Sequence, residues 1–81
     1  MKAGRLDEAE ARFKEVVAKF PDLGGAHYNL GYVYRVRKDW KSAEAEYLRV
    51  TELQPTRSDA FIALAAAREL DGRSPEAVAG L

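Results

Sequence analysis

The sequence predicts an all-α protein, an antiparallel helix-turn-helix solenoid of about four full helices and a short fifth. Three observations carry this. Pro21 and Pro55 stand 34 residues apart, which is the period of about 34 residues that helix-turn-helix repeats show. Gly4, Leu6, Ala9, Phe13 and Pro21 lie the same 34 residues before Lys38, Trp40, Ala43, Tyr47 and Pro55, so apolar and small side chains recur at matching places. Between the prolines, apolar residues return every three or four positions, the mark of amphipathic helices.

The first helix is expected over about residues 6–20. Leu6, Ala9, Phe13, Val16, Val17 and Phe20 form one apolar stripe on it. Asp7, Glu8 and Glu10 enrich its first turn in acid and Lys19 lies in its last, both of which suit the helix dipole. Residues 1–23 read as the second half of a repeat whose first half is missing, so the stripe around Phe13 and Val17 should lack one partner. Asp22-Leu23-Gly24-Gly25 then reads as a turn, with Asp22 as N-cap and glycines that permit unusual backbone angles. A lone Gly-Gly is a connector rather than a phosphate loop.

Residues 24–57 hold a complete helix pair. Its first helix is expected from Ala26 to about Arg37. Ala26, Leu30, Val33, Tyr34 and Arg37 line one face, while Tyr28, Tyr32, Arg35 and Val36 line another. A helix with two such faces serves two neighbours, or one neighbour and one ligand. The second helix is expected from about Trp40 to Leu53, with Asp39 as cap and Trp40, Ala43, Tyr47, Val50 and Leu53 as its stripe. Glu44 and Glu46 should point largely to water. Pro55 lacks an N–H and disfavours helix for the residue before it, so this helix should stop near Gln54.

Residues 58–81 read as a partial repeat. Thr56-Arg57-Ser58-Asp59 has the form of a capping box, and a helix is expected over about Ser58–Leu70 with Ala60, Phe61, Leu64, Ala65 and Ala67 on its buried side. Asp71-Gly72 should end it. Ser74-Pro75 begins a short fifth helix, too short to cover its predecessor, so part of Phe61 or Leu64 should stay exposed. The whole chain, 1–81, reads as one domain.

The string Ala26, Tyr28, Asn29, Leu30, Gly31, Tyr34, Asp39, Ala43, Tyr47, Glu52, Leu53 and Pro55 resembles the tetratricopeptide repeat across one full repeat. Two positions depart from it: Lys38 stands where glycine is usual, which bears on the turn, and Val50 where alanine is usual, which bears on helix spacing. The resemblance implies a module that holds a protein or peptide partner in a concave groove lined by the first helices of successive repeats. It implies that Tyr28, Asn29, Tyr32, Arg35 and Val36 face the groove from the central repeat, and Asp59, Ile62, Ala63, Ala66 and Glu69 from the next.

The physical reading of these residues agrees, since they fall off the packing stripe yet include two tyrosines and an isoleucine. A tyrosine offers a broad apolar face and one hydroxyl, and Asn29 can bond a peptide backbone through its amide. Two readings stay open for Tyr28 and Tyr32: contact with a ligand, or packing against neighbouring helices. One branch of the family clamps the C-terminal carboxylate of chaperone tails. Asn29 alone of that set is matched here, and Asp59 and Ala63 replace basic clamp residues, so no such clamp is expected. Arg35 opposite Asp59 and Glu69 points to a partner of mixed charge with an apolar anchor.

Composition narrows the alternatives. The chain has 81 residues, 13 basic and 13 acidic, with a formal net charge of zero, which argues against a dedicated binder of nucleic acid or anionic membrane. There is no cysteine, hence no disulfide, thiolate nucleophile or cysteine-held metal. The longest apolar run, Ala60 to Ala67, falls far short of the ~20 residues a spanning helix needs, and no signal-peptide pattern opens the chain. A soluble, by default cytoplasmic, protein is the expectation.

No catalytic constellation stands out, and neither a cofactor nor a metal is expected. His27 is the sole histidine. It stands early in the central helix where the family usually carries a large packing residue, and it reads as a partly buried packing histidine. Asp7/Glu8 and Glu44/Glu46 are too close in sequence to face one another on a helix. Arg35, Arg37, Lys38 and Lys41 cluster beside Tyr32 and Tyr34, a pattern also met in nucleic-acid binders, but a solvated turn explains it better. The function is therefore read as non-catalytic protein–protein interaction, as a segment of a larger scaffold. The alternative is self-association through open apolar ends, and RNA binding carries less weight.

Overall fold

A computed structural model describes residues 2–72. Four helices occupy them: α1 (Lys2–Lys19), α2 (Gly24–Val36), α3 (Trp40–Leu53) and α4 (Ser58–Gly72). Each packs on the next in chain order, and connections of four, three and four residues make the neighbours antiparallel. The predicted helix-turn-helix solenoid is what the chain forms, and α3 has the predicted bounds. The fifth helix expected from Ser74 lies outside the described residues.

The core lies between α2, α3 and α4. Ala43, Tyr47, Ala63, Leu64 and Ala67 form one buried cluster, with Tyr28 and Tyr34 packed against it. Ala26, Leu30 and Val33 of α2 and Val50 of α3 are buried as well, so the predicted stripes face inward. Val50 is accommodated with no exposed surface at all. Gly31 makes room for a ring rather than for a backbone: a Cβ there would lie 2.8 Å from Cε1 of Tyr47. Tyr47, 1% exposed, thus sits across the flank of α2 as the largest wholly buried side chain.

Helix α1 holds on differently. Leu6, Ala9, Phe13, Val16 and Val17 are only half-buried, and Phe20 is exposed. Ion pairs add to this apolar contact. Arg37 pairs with Asp7 and, at 3.0 Å, with Glu10. Glu10 in turn meets Lys14 at 2.9 Å, and that contact, with Tyr34 beside it, raises the Lys14 pKa.

Several local expectations are corrected. Helix α1 starts at Lys2, not residue 6, and its first turn carries no acid. The helix runs through Gly4. Asp22 does not cap α2. The helix begins at Gly24, which puts Leu23 at the N-cap without a side-chain bond, and Asp22 instead faces Arg49 at 3.5 Å. The glycines serve no special backbone angle, since none of those described has positive φ. A Cβ on Gly24 would collide with the Gln54 side chain.

The capping box at Thr56–Asp59 does not form either. Helix α4 begins at Ser58, one residue late for Thr56 to cap it, and the Asp59 carboxylate accepts from Nε of Arg57 at 3.0 Å. Helix α4 also passes Leu70 and reaches Gly72, the last described residue. Ala65 is exposed rather than buried, because Ala60, Ala63, Leu64 and Ala67 already take the side that meets α3. Leu64 is buried and Phe61 is the residue left open, at 47%.

The turn after α2 explains how the chain manages without the usual glycine. Lys38 has φ 63°, the left-handed conformation that ends many helices. The Lys38 N–H donates to the Arg35 carbonyl and the Asp39 N–H to the Tyr34 carbonyl, each at 2.9 Å. These two bonds are the paired closure of a Schellman motif. Asp39 then caps α3 as predicted, its carboxylate accepting from the Ser42 N–H at 3.4 Å. The turn is built normally and carries the cost of a Cβ where the backbone favours none.

Candidate protein-binding groove

The face of α2 that turns away from α1 carries the predicted groove residues. Asn29, Tyr32, Arg35 and Val36 are all exposed there, with Tyr32 at 54% and Val36 at 45%. From α4, Ile62 is 70% exposed, and Asp59 and Glu69 are exposed too. Ala66 is half-buried, while Ala63 belongs to the core cluster. Tyr32, Val36 and Ile62 are thus large apolar side chains left open on α2 and α4, where Phe61 and Leu70 are exposed as well, although buried area is what stabilises so small a fold.

Tyr28 is placed between the groove and the core. Its ring lies 5.4 Å from that of Tyr47, tilted by 56°, a favourable aromatic arrangement. The Arg57 guanidinium sits 4.4 Å from the Tyr28 ring centroid, within range of a cation–π attraction. Arg57 is held there by two other groups, Asp59 at 3.0 Å and the side-chain carbonyl of Gln54 at 3.2 Å. Sequence reasoning missed Arg57. Its position two residues before Asp59 was a signal for the ion pair, but nothing in the sequence joins it to a tyrosine 29 residues earlier.

Tyr47 reaches the groove floor from beneath. Burial raises the pKa of its hydroxyl above the ordinary 10.0, and the Arg35 guanidinium beside it pulls the other way. Tyr28 and Tyr32 also act on that hydroxyl, so three tyrosines and Arg35 gather at one spot. Asp59, taken by Arg57, does not present a bare carboxylate to this space.

His27 lies at the opposite side of α2, 6% exposed, as the packing reading expected. It does more than fill space. Nε2 faces the Pro21 carbonyl and Nδ1 faces the Glu46 carboxylate, both at 2.8 Å. Glu46 is therefore not directed to water as predicted, and Glu44 pairs with Arg68 at 3.0 Å. No group of three or more metal-ligating side chains occurs among the described residues, and no helix among them is long and apolar enough to cross a membrane.

Comparison with known families decides the wider identity. The profile of the tetratricopeptide repeat matches residues 1–58, covering α1 through α3 and the first residue of α4. The chain belongs to the tetratricopeptide repeat family. Tetratricopeptide repeats are in general non-catalytic protein–protein interaction modules, and the all-helical stack of this chain is of that kind. No curated protein and no solved structure matches it.

Proposed function

We propose that this tetratricopeptide repeat chain binds a peptide or protein segment in the groove between α2 and α4, without catalysis. Residues 24–57 are read as its complete repeat. The observation that carries the reading is the exposure of Tyr32, Val36 and Ile62, at 54%, 45% and 70%, on the two helices that line the groove in this family. Such apolar side chains gain by being covered, at roughly 25 cal/mol per Å² removed from water. Asn29 supplies a two-sided amide for a backbone. Tyr28 supports the site by fixing Arg57.

The test is peptide-array screening followed by amide shift mapping of the isotope-labelled chain. Expected shifts fall on Tyr32, Val36 and Ile62, and Tyr32→Ala removes binding with the circular dichroism spectrum unchanged. Tyr28→Ala is a poorer test, because that ring packs on Tyr47. Shifts confined to α1 would overturn the reading. A second reading, self-association, draws on Phe61, which stands 34 residues after His27 and is 47% exposed where His27 is covered. It predicts concentration-dependent sedimentation abolished by Phe61→Glu. Leu64→Glu would not serve, since Leu64 is buried.

A further inference from the structure

We infer that the groove reads a side-chain carboxylate on its partner, next to an apolar residue, and that Arg35 is the group that reads it. This deepens the proposed peptide-binding function and rests on it.

Outside α1, the described arginines are spent on this chain's own acids, with one exception. Arg37, Arg49, Arg57 and Arg68 each face a carboxylate of this chain. Arg35 belongs to none of these pairs. Its neighbour is the Tyr47 hydroxyl, a neutral group that can orient a guanidinium without cancelling its charge. The Tyr47 ring is wholly buried and wedged against Gly31.

The surroundings favour an acid. Tyr32 lies one helical turn before Arg35, and Val36 adjoins it in sequence, both exposed and largely apolar. An ion pair formed beside such groups is less screened than one in open water, and a guanidinium–carboxylate pair can form two parallel hydrogen bonds. The acid on the α4 wall nearest the start of the groove, Asp59, is already matched by Arg57. The partner is therefore a segment that sets an Asp or Glu on Arg35 and an adjacent aliphatic or aromatic side chain on Tyr32, Val36 and Ile62. The carboxylate is that of a side chain within the segment, because Asn29 alone matches a terminal-carboxylate clamp and Asp59 and Ala63 replace its basic residues.

The experiment is selection of random peptides displayed on phage, with no free C-terminus, against the intact chain and against Arg35→Gln. Arg12→Gln, on the exposed outer side of α1, is the charge control. The expected result is enrichment of Asp or Glu beside an apolar residue, retained with Arg12→Gln and lost with Arg35→Gln. A synthetic copy of a selected peptide should bind Arg35→Gln at least about tenfold more weakly, the scale of one charged hydrogen bond, and its Asp→Asn version should match that loss on the unaltered chain. Enrichment of apolar peptides with no acidic preference, or an acidic preference that survives Arg35→Gln, overturns this inference and leaves the groove as proposed. No enrichment over an unrelated protein overturns both.

Discussion

His27 and Glu46 stand 2.8 Å apart, Nδ1 to Oε1, and join α2 to α3 across nineteen residues of sequence. The second ring nitrogen, Nε2, donates to the Pro21 carbonyl in the turn after α1. One side chain thereby ties three elements together.

Removing this histidine should cost far more than its place on a packing list suggests. His27→Ala opens a cavity and strands both the Glu46 carboxylate and the Pro21 carbonyl, an expected loss of about 3 kcal/mol. Urea unfolding measures it. The double variant His27→Leu with Glu46→Leu should regain part of that loss, since Glu46 is no longer stranded although the Pro21 carbonyl still is. A double variant as unstable as the single one would mean that shape rather than pairing is what His27 supplies.

Lys38 offers the opposite opportunity. It holds a left-handed φ of 63° in a complete Schellman turn, where glycine fits without a Cβ penalty. Lys38→Gly should therefore stabilise the chain by about 1 kcal/mol, after the extra flexibility of the unfolded glycine is deducted. The denaturation midpoint should rise with the m-value unchanged. Lys38→Ala should bring no comparable gain.

Gly31→Ala tests the close approach of Tyr47. In an exposed helix interior this change would favour the helix by up to about 1 kcal/mol. Here the new methyl meets a ring that is packed on every side, so a net loss of roughly 1–3 kcal/mol is expected. Pairing it with Tyr47→Leu, which clears the ring, should restore the normal preference for alanine. Thermal unfolding of the four variants settles the sign.

Alkaline pH should unfold the chain through its tyrosines. Burial raises the pKa of Tyr34 and of Tyr47 above 10.0, so in the folded state both keep their protons to higher pH than in the unfolded chain. Their contribution to stability is complete below pH 10 and is lost as pH climbs through the folded values, because the unfolded state releases its protons first. Stability measured from pH 8 to 11 should fall beyond 10, less steeply for Tyr47→Phe when each curve is scaled to its own plateau. A fall in the wild type equal to that of Tyr47→Phe would remove Tyr47 as the cause.

The helices were legible in the sequence to the extent that they follow periodicity and proline. Pro55 stops α3 and the apolar spacing locates α2 and α3, both of which are local signals. What the sequence hid is long-range and polar. Nothing near Glu46 marks it as the partner of a histidine, and the spacing of Glu44 and Glu46 suggested solvent for both. The cap at Asp22 looked sound by residue type and failed by one position. In the groove, the exposed residues Tyr32, Val36 and Ile62 could be read from their place off the stripe. Arg57 could not, because its aromatic partner is reached only once α2 and α4 are folded together.

Tyr47 has one further consequence. The same ring that seals the interior against Gly31 has its hydroxyl beside Arg35, so under the proposed function ligand preference and cohesion of the fold share a single side chain. Changes that tune recognition at this point are constrained by packing, whereas Tyr32, Val36 and Ile62 are free to vary with solvent on one side. Divergence toward new partners should therefore run along the rim of the groove and leave its floor unchanged.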